Sequence, residues 1–327
     1  MKMSDLPIAF TMGDPSGIGP EIIVKTYSDL QKYENLIFIA NALIIQNTIK
    51  MLNLDFSINL IKNIEDALFE KNVIDIIEVG DFNSIPKYGE VNSKTGKASF
   101  DAIIKAYDLA KNKNIAGFVT APINKSSLNR ANIDYPGHTE ILAEKSGNKD
   151  FAMMLINNEI RTVLVTLHCS LLSAISNINI EREFNTILLA YNGAKMLGLK
   201  NPRIAVSSLN PHSGEGGLFG NEEIDIIIPA IKKAQNAGID VVGPFPGDTV
   251  FMNARLGHYD VVIAQYHDQG LIPIKYMGIE DGINFTLGID VIRTSPDHGV
   301  AYDIAGKGIA NHSSFLKAAK LIRKLEL

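Results

Sequence analysis

The chain has 327 residues, and its hydrophobic composition of 46% is sufficient for two lobes with separate cores. Its net charge of −5 comes from interspersed acidic and basic residues with no basic run, which argues against nucleic acid as a partner. The apolar start is too short for a signal-peptide core, and no stretch reaches the roughly 18 apolar residues of a membrane helix. Cys169 is the single cysteine, which excludes an internal disulfide. We therefore expect a cytoplasmic protein without a membrane partner.

Short β-branched runs alternate with longer segments of helical period along most of the chain. The predicted strand and helix pairs are, in chain order, LPIAFTM with PEIIVKTYSDLQKY, NLIFIA with ALIIQNTIKMLN, IAGFVTA with KSSLNRAN, RTVLVTL with EREFNTILLAYNGAKMLG, and PRIAVSSL with EEIDIIIPAIKKAQNAG. DVVIAQY follows as a further strand. This alternation predicts a parallel α/β sheet, and Gly198 and Gly238 are predicted to end two of the helices.

After Gly270 the pattern changes to three brief runs, LIPIKYMG, GINFTLGI and DVIRTS, which predict hairpins or a crossover between lobes. Lys275, Asn284 and Arg293 stand nine residues apart in these runs, so chain reversals would bring them to one end. A lysine, an amide and a guanidinium together suit a phosphate or a carboxylate. Taken singly, Lys and Arg are more often solvated surface charges.

Three histidines, His168, His212 and His267, each follow a predicted strand. Ligands of open α/β sheets bind beyond the carboxyl ends of the strands, where three imidazoles would converge on one ion. One loop histidine is usually bonded to a backbone group, but three in the same context favour a metal site of the zinc or cobalt type. Cys169, beside His168, is interpreted as a small buried thiol.

A glycine-rich turn, GDPSGIGPE at residues 13–21, follows the first predicted strand and places Pro20 at the first helical position. Exposed amides in this turn would face a phosphate. Its spacing fits neither GxGxxG nor the P-loop, so its indication of a cofactor is weak. GEGGLFG, at residues 214–220, is interpreted as a flexible loop that allows a close approach.

Four motifs resemble those of the 4-hydroxythreonine-4-phosphate dehydrogenases of vitamin B6 biosynthesis: PGHTE, LNPHSGEGG, YHDQGL and NFTLGIDVIRTSPDHG. GIGPE and DIAGKGIAN are similar to segments of the wider isocitrate and isopropylmalate dehydrogenase group. The resemblance implies a two-lobed α/β/α fold without a Rossmann glycine fingerprint and with the active-site cleft between the lobes. We expect residues 1–127 plus 270–327 to form the first lobe, with a cofactor loop, and residues 128–269 to form the second, with the metal ligands and the dimer contact.

The resemblance also implies a set of site residues. The metal ligands would be His168, His212 and His267, with zinc as the expected ion and cobalt or magnesium as alternatives. The substrate contacts would be His138, Thr139, Lys275, Asn284 and Arg293. A loop that includes His298, Gly299, Asp303, Gly306 and Asn311 would receive the adenosine part of NAD or NADP. A homodimer with a shared active site is expected.

The implied reaction is the NAD-dependent oxidation of 4-phosphohydroxy-L-threonine at C3 to 2-amino-3-oxo-4-phosphooxybutanoate, which decarboxylates to 3-amino-2-oxopropyl phosphate. Asp248 and Asp268 are expected near the metal without an assigned role, and Lys125 is a further candidate for the proton acceptor. One alternative is a related dehydrogenase of 4-phospho-D-threonate or 4-phospho-D-erythronate. A more distant alternative is a phosphate acyltransferase of similar fold.

Overall fold

The computed structural model describes residues 5–278 and 282–325, which form two compact units. Unit 1 lies within Met1–Ser146 and Asp290–Arg323, and unit 2 lies within Gly147–Ile289 and Lys324–Leu327. Over the part of the chain that is described, every helix is too short or too polar to cross a bilayer.

Strands and helices alternate along both units, as the hydrophobic pattern predicts. The strands are β1 (Ile8–Thr11), β2 (Leu36–Ala40), β3 (Ser57–Ile61), β4 (Val73–Glu78), β5 (Gly117–Thr120), β6 (Ala152–Ile156), β7 (Arg161–Leu164), β8 (Ile204–Ser207), β9 (Val241–Phe245), β10 (Val261–Ala264), β11 (Ile283–Leu287) and β12 (Arg293–Pro296). The helices are α1 (Gly19–Leu30), α2 (Ala42–Met51), α3 (Ser93–Lys111), α4 (Lys125–Arg130), α5 (His138–Ser146), α6 (Leu171–Asn177), α7 (Ile180–Met196), α8 (Ile228–Asn236), α9 (Gly247–Arg255), α10 (His267–Tyr276) and α11 (Ser313–Ile322).

Unit 1 contains parallel strands in the order β3-β4-β2-β1-β5-β12. All four residues of β1 are buried, as expected for a central strand covered by helices on both faces. Phe10 on β1 contacts Phe38 on β2 and Phe315 on α11, with ring centroids 5.8 and 5.0 Å apart. The core of this unit therefore packs α11, from late in the chain, against the first two strands.

The glycine-rich turn at residues 13–21 is a packing element of unit 1. Gly13 has φ +65°, and a Cβ there would lie 2.3 Å from the Pro122 carbonyl oxygen, so only glycine fits. The backbone amides of the turn bond within the protein: Asp14 to the Pro122 carbonyl, Ser16 to the Asp14 carboxylate, Gly17 to the Asp14 carbonyl and Ile18 to the Val300 carbonyl. The expectation that exposed amides would face a phosphate here is wrong, because these amides are buried and bonded.

Unit 2 contains strands in the order β11-β6-β7-β10-β8-β9. β7, β10, β8 and β9 run parallel, and β6 is antiparallel to both β7 and β11. α7 ends at Met196 and α8 at Asn236, each followed two residues later by a glycine at φ +84°, which confirms the predicted helix ends. The parallel part of this sheet places the carboxyl ends of β7, β10 and β8 side by side.

The structure corrects the prediction for the region after Gly270. LIPIKYMG lies mainly in α10, where Leu271 and Ile274 are buried while Ile272 and Lys275 are exposed, a helical rather than a strand period. The other two runs form β11, which pairs with β6, and β12, which pairs with β5.

The units differ from the expected lobes at three segments, one of which is the C-terminal Lys324–Leu327 in unit 2. Residues 128–146 fall in unit 1, because α5 contacts α3 there. Residues 270–289 fall in unit 2, because α10 packs on β7 and β10 and β11 pairs with β6.

Candidate functional site

Arg293, at the first position of β12, is a buried cation in unit 1 with 2% exposure. Its Nε and Nη2 atoms donate to the Thr120 hydroxyl at 3.0 and 2.6 Å, which fixes the guanidinium at the end of β5. Burial lowers the pKa of Arg293 to about 9, and the nearby Glu140 carboxylate opposes that effect. The group stays charged at neutral pH, so it presents a poorly solvated positive charge that suits an anion.

His138 lies close enough to Arg293 for the guanidinium charge to act on its ring. Burial and then Arg293 hold the pKa of His138 well below its ordinary value, while a hydrogen bond to the Ala121 backbone opposes them. The buried Nε2 atom of His138 has no hydrogen-bond partner among the residues the structure describes. The imidazole is therefore neutral, bonds Ala121 through Nδ1, and offers Nε2 as an acceptor. Thr139, the next residue, is buried beside it.

The other two expected substrate contacts belong to unit 2. Asn284 lies on β11, and its buried Oδ1 atom has no partner within the described residues. Lys275 lies in the last turn of α10 and is exposed. Sequence spacing predicts one pocket of Lys275, Asn284 and Arg293. In the structure Lys275 lies on α10 and Asn284 on β11, both in unit 2, and Arg293 lies on β12 in unit 1.

The three candidate metal ligands follow three neighbouring parallel strands of unit 2, as the sequence predicts. His168 comes after β7, His212 after β8, and His267 begins α10 after β10. The rings of His168 and His267 are close, with centroids 5.7 Å apart and planes tilted by 48°. His267 Nδ1 lies 2.7 Å from Asp268 Oδ1, a carboxylate contact that fixes the ring and leaves Nε2 for a ligand.

His212 opens a left-handed turn. Residues 212–216 have φ values of 51, 52, 77, 44 and 67°, which costs roughly 1–2 kcal/mol for each residue that is not glycine. Glu223 holds the start of this segment, since its Oε1 accepts from the backbone amides of Leu209 and Asn210 at 2.9 and 2.8 Å. The His212 ring lies against Phe219, with centroids 6.1 Å apart.

The fit of these side chains to a metal ion is partial. Within residues 5–278 and 282–325, no group of three or more His, Cys, Asp or Glu side chains is placed to hold a metal ion. The donor chemistry of His168 and His267 suits a transition ion, and His212 stands outside that pair. Asp268 connects the two regions, because it lines both a cavity of about 450 Å³ with His168 and His267 and a cavity of about 560 Å³ with His212 and Asp248.

No candidate for the proton acceptor is singled out by its surroundings. Asp248, in the first turn of α9, and Asp268 are both exposed carboxylates of unit 2. Lys125 begins α4 in unit 1 and is also exposed. The expectation that Cys169 is buried is wrong, because its thiol is exposed between β7 and α6.

The expected cofactor loop, residues 298–311, is held by the first helix of unit 1. Lys25 Nζ donates to the carbonyls of Gly308 and Ala310 at 3.0 and 2.8 Å and pairs with Glu21 at 2.7 Å. Glu21 in turn accepts from the Ala310 amide at 2.6 Å. These contacts join the GIGPE segment to the DIAGKGIAN segment, and sequence reasoning missed Glu21 and Lys25 as their link.

His298, at the start of the same loop, is half-buried. Burial lowers its pKa, although the Gly299 carbonyl 3.1 Å from Nδ1 opposes the shift. The Nε2 atom is buried and has no partner in the described part of the chain. Asp303 and Asn311 of the loop are exposed. The loop therefore offers one buried acceptor and several accessible polar groups.

A family model described as pyridoxal phosphate biosynthetic protein PdxA matches residues 32–322. The chain belongs to the PdxA family. Within it, a 4-hydroxythreonine-4-phosphate dehydrogenase of Beijerinckia indica is 53% identical, covering 100% of this chain and 97% of the relative. A putative D-threonate 4-phosphate dehydrogenase of Oceanobacillus iheyensis is 44% identical and covers 97% of each chain. A solved 4-hydroxythreonine-4-phosphate dehydrogenase from Klebsiella pneumoniae gives a TM-score of 0.88 at 38% identity, covering 98% of this chain and 99% of its own.

More distant structures share the PdxA fold alone. A β-decarboxylating dehydrogenase of Thermococcus kodakarensis gives a TM-score of 0.54 at 16% identity, covering 96% of this chain and 81% of its own. A phosphotransacetylase of Staphylococcus aureus gives 0.55 at 13% identity, covering 97% and 95%. The expected fold class is confirmed. Because dehydrogenases and acyltransferases both adopt this fold, it is the family that favours a dehydrogenase.

Proposed function

We propose that this member of the PdxA family oxidises 4-phosphohydroxy-L-threonine at its C3 hydroxyl with NAD. The observation that carries the proposal is the buried Arg293 and Thr139 beside the half-buried His138, in a chain 53% identical to a 4-hydroxythreonine-4-phosphate dehydrogenase. Arg293 suits the phosphate or carboxylate of such a substrate, and the acceptor Nε2 of His138 suits its hydroxyl or ammonium group.

In this reaction the C3 hydrogen leaves with its electron pair to the nicotinamide while the C3 hydroxyl loses a proton. The product, 2-amino-3-oxo-4-phosphooxybutanoate, is a β-keto acid that loses carbon dioxide to give 3-amino-2-oxopropyl phosphate. The contribution of this chain is to hold the charged ends of the substrate at fixed places, which removes the entropy cost of aligning C3 for the transfer.

A divalent ion, zinc first and cobalt or magnesium as alternatives, would supply Lewis-acid chemistry at the hydroxyl. His168 and His267 would hold it, with His212 as the third ligand, and Asp268 would orient His267. The loop at residues 298–311, held by Glu21 and Lys25, is proposed to take the adenosine part of NAD or NADP.

A second candidate substrate is 4-phospho-D-threonate or 4-phospho-D-erythronate, since a relative 44% identical over nearly the full chain is named as a D-threonate 4-phosphate dehydrogenase. We expect NADH to form fastest with 4-phosphohydroxy-L-threonine when the three substrates are assayed side by side with NAD and with NADP. Absorbance of the reduced nicotinamide gives the rate. If only the phosphorylated sugar acids are oxidised, the proposed substrate is wrong and the second candidate is the substrate.

We also propose a homodimer in which unit 2 forms the contact. Large apolar side chains stay exposed beside two of the candidate metal ligands: Leu171 is 56% and Leu172 76% exposed after His168, and Leu218 is 73% exposed after His212. Surfaces of this kind are typical of subunit contacts. Sedimentation velocity should give a mass of two chains for the wild type and one chain for Leu172→Glu, and a wild-type monomer would contradict the dimer.

A further inference from the structure

Two buried glutamates of unit 2 differ in how their carboxyl groups are bonded. Glu223 is 1% exposed and accepts from the amides of Leu209 and Asn210 and from the Asn210 side chain, which is the environment of a carboxylate. Glu183 on α7 is 0% exposed and receives one hydrogen bond, from Gln265 Nε2 to Oε1 at 3.0 Å. A buried carboxylate with a single donor is poorly stabilised.

The amide of Gln265 has a fixed orientation. Its Nε2 also donates to the Ser207 carbonyl at 2.9 Å, and only the nitrogen of an amide donates to a carbonyl. Its Oε1 atom must therefore accept, yet it has no donor among the described residues. Glu183 Oε2 is buried and also lacks a donor there. A proton on Glu183 Oε2 satisfies both oxygens at once, because a carboxylic acid and a primary amide form two hydrogen bonds in a ring.

Three charged groups on elements that pack against α7 have partners other than Glu183. Lys233 on α8 pairs with Glu181, Arg161 on β7 donates to the Asp260 carbonyl, and Glu223 holds Leu209 and Asn210. Burial raises the pKa of Glu183 to about 7, and the hydrogen bond from the Gln265 side chain opposes that shift.

We propose that Glu183 is a neutral carboxylic acid whose O–H donates to Gln265 Oε1, and that this acid–amide pair positions the strand ends carrying the three candidate ligands. Gln265 joins all three ends. Its side chain bonds Ser207 at the end of β8, its carbonyl accepts from Thr166 after β7 at 2.8 Å, and it lies two residues before His267.

A second glutamine completes the connection between β10 and β8. Gln269 Oε1 accepts from the Gln265 amide at 2.7 Å, and Gln269 Nε2 donates to the Ser208 carbonyl at 2.8 Å. Ionisation of Glu183 breaks the acid–amide ring and places a charge in the interior of the unit. The consequence for His168, His212 and His267 rests on the proposed function, whereas the protonation of Glu183 does not.

The experiment compares wild type with Glu183→Gln in urea unfolding of the full chain from pH 4.5 to 9. The folded pKa of Glu183 is raised, so its stabilising proton is fully present below the ordinary carboxyl pKa of 4.5 and is lost as pH rises to about 7. The amide of Glu183→Gln keeps both hydrogen bonds at every pH. The ratio of the wild-type to the variant unfolding constant should therefore rise by roughly tenfold per pH unit across this window and stay constant above it.

Two controls separate this result from a merely structural role. Glu181 is exposed and lies two residues away, so the ratio of the wild-type to the Glu181→Gln unfolding constant should not change with pH. Glu223→Gln should lower stability at every pH, because in either orientation its amide N–H faces a donor, either the backbone amides of Leu209 and Asn210 or the Asn210 side chain. For Glu183, dehydrogenase activity should be retained within about threefold in Glu183→Gln and lost in Glu183→Ala.

The protonation itself is read from the ¹³C signal of the Glu183 carboxyl group, assigned by its disappearance in Glu183→Gln. A titration near neutral pH supports the proposal. A titration near the ordinary carboxyl pKa of 4.5, or a ratio of the wild-type to the Glu183→Gln unfolding constant that is flat with pH, overturns it. Equal loss of activity in the Gln and Ala variants overturns the positioning role. The unfolding and ¹³C outcomes are independent of which substrate the enzyme takes, since neither measurement needs a substrate.

Discussion

Replacing Arg293 by methionine should lower kcat/KM for the phosphorylated substrate by at least about 100-fold while the protein stays folded. Two charge-assisted hydrogen bonds to an anion, at about 1.5 kcal/mol or more each, correspond to this factor. Methionine has a similar length but no charge. The same substitution also removes the two hydrogen bonds to Thr120 and the buried charge near Glu140, so the unfolding temperature without ligand should fall, and kcat/KM is compared at a temperature well below the unfolding of the variant.

The measurement is steady-state kinetics together with thermal unfolding in the presence and absence of inorganic phosphate. Phosphate should raise the unfolding temperature of the wild type and not that of Arg293→Met. Arg203→Met is the matched control, because Arg203 is a half-exposed arginine paired with Asp260 in unit 2. If Arg293→Met keeps kcat/KM within threefold of the wild type, the assignment of Arg293 to substrate binding is incorrect.

The sequence predicts the local elements well, because strand and helix periods and helix ends depend on neighbouring residues. The strand-end positions of His168, His212 and His267 follow from that pattern alone and are confirmed. The exception is α10, where Gly270 and Pro273 stand within a helix that packs by its buried residues. Glycine and proline at those places predict that a helix would be interrupted. The packing of α10 against β7 and β10 stabilises the helix in spite of them.

Contacts between residues far apart in the chain cannot be predicted from the spacing of residues in the sequence. The bonds from Lys25 to Gly308 and Ala310 cross more than 280 positions, and Gln265 joins three strand ends through its side chain and carbonyl. The left-handed φ of His212 is equally hidden, since L residues disfavour it and only the glycines around it suggest a turn. The roles of the expected ligand and substrate residues stay predictions.

Removing divalent ions with a chelator should lower the rate of nicotinamide reduction by about 1000-fold, and adding zinc or cobalt should restore it. Several kcal/mol of stabilisation of the developing alkoxide is the usual contribution of such an ion. His168→Gln and His267→Gln should lose the bound ion and the activity together, because their rings form the close pair, 5.7 Å apart. Metal content by elemental analysis and the rate of NADH formation are measured on the same samples.

His212→Gln tests whether His212 is the third metal ligand. Its ring lies against Phe219 on a left-handed turn that Glu223 holds, outside the pair of His168 and His267. If the turn moves to complete the site on metal binding, His212→Gln should weaken metal binding as strongly as the pair variants, and the wild-type turn should lose its amide exchange pattern when the ion is added. His258→Gln, an exposed histidine of the same unit, should change neither quantity.

Full turnover after chelation would contradict a metal-dependent reaction. Loss in the pair variants with full activity in His212→Gln would contradict the assignment of His212 as a metal ligand.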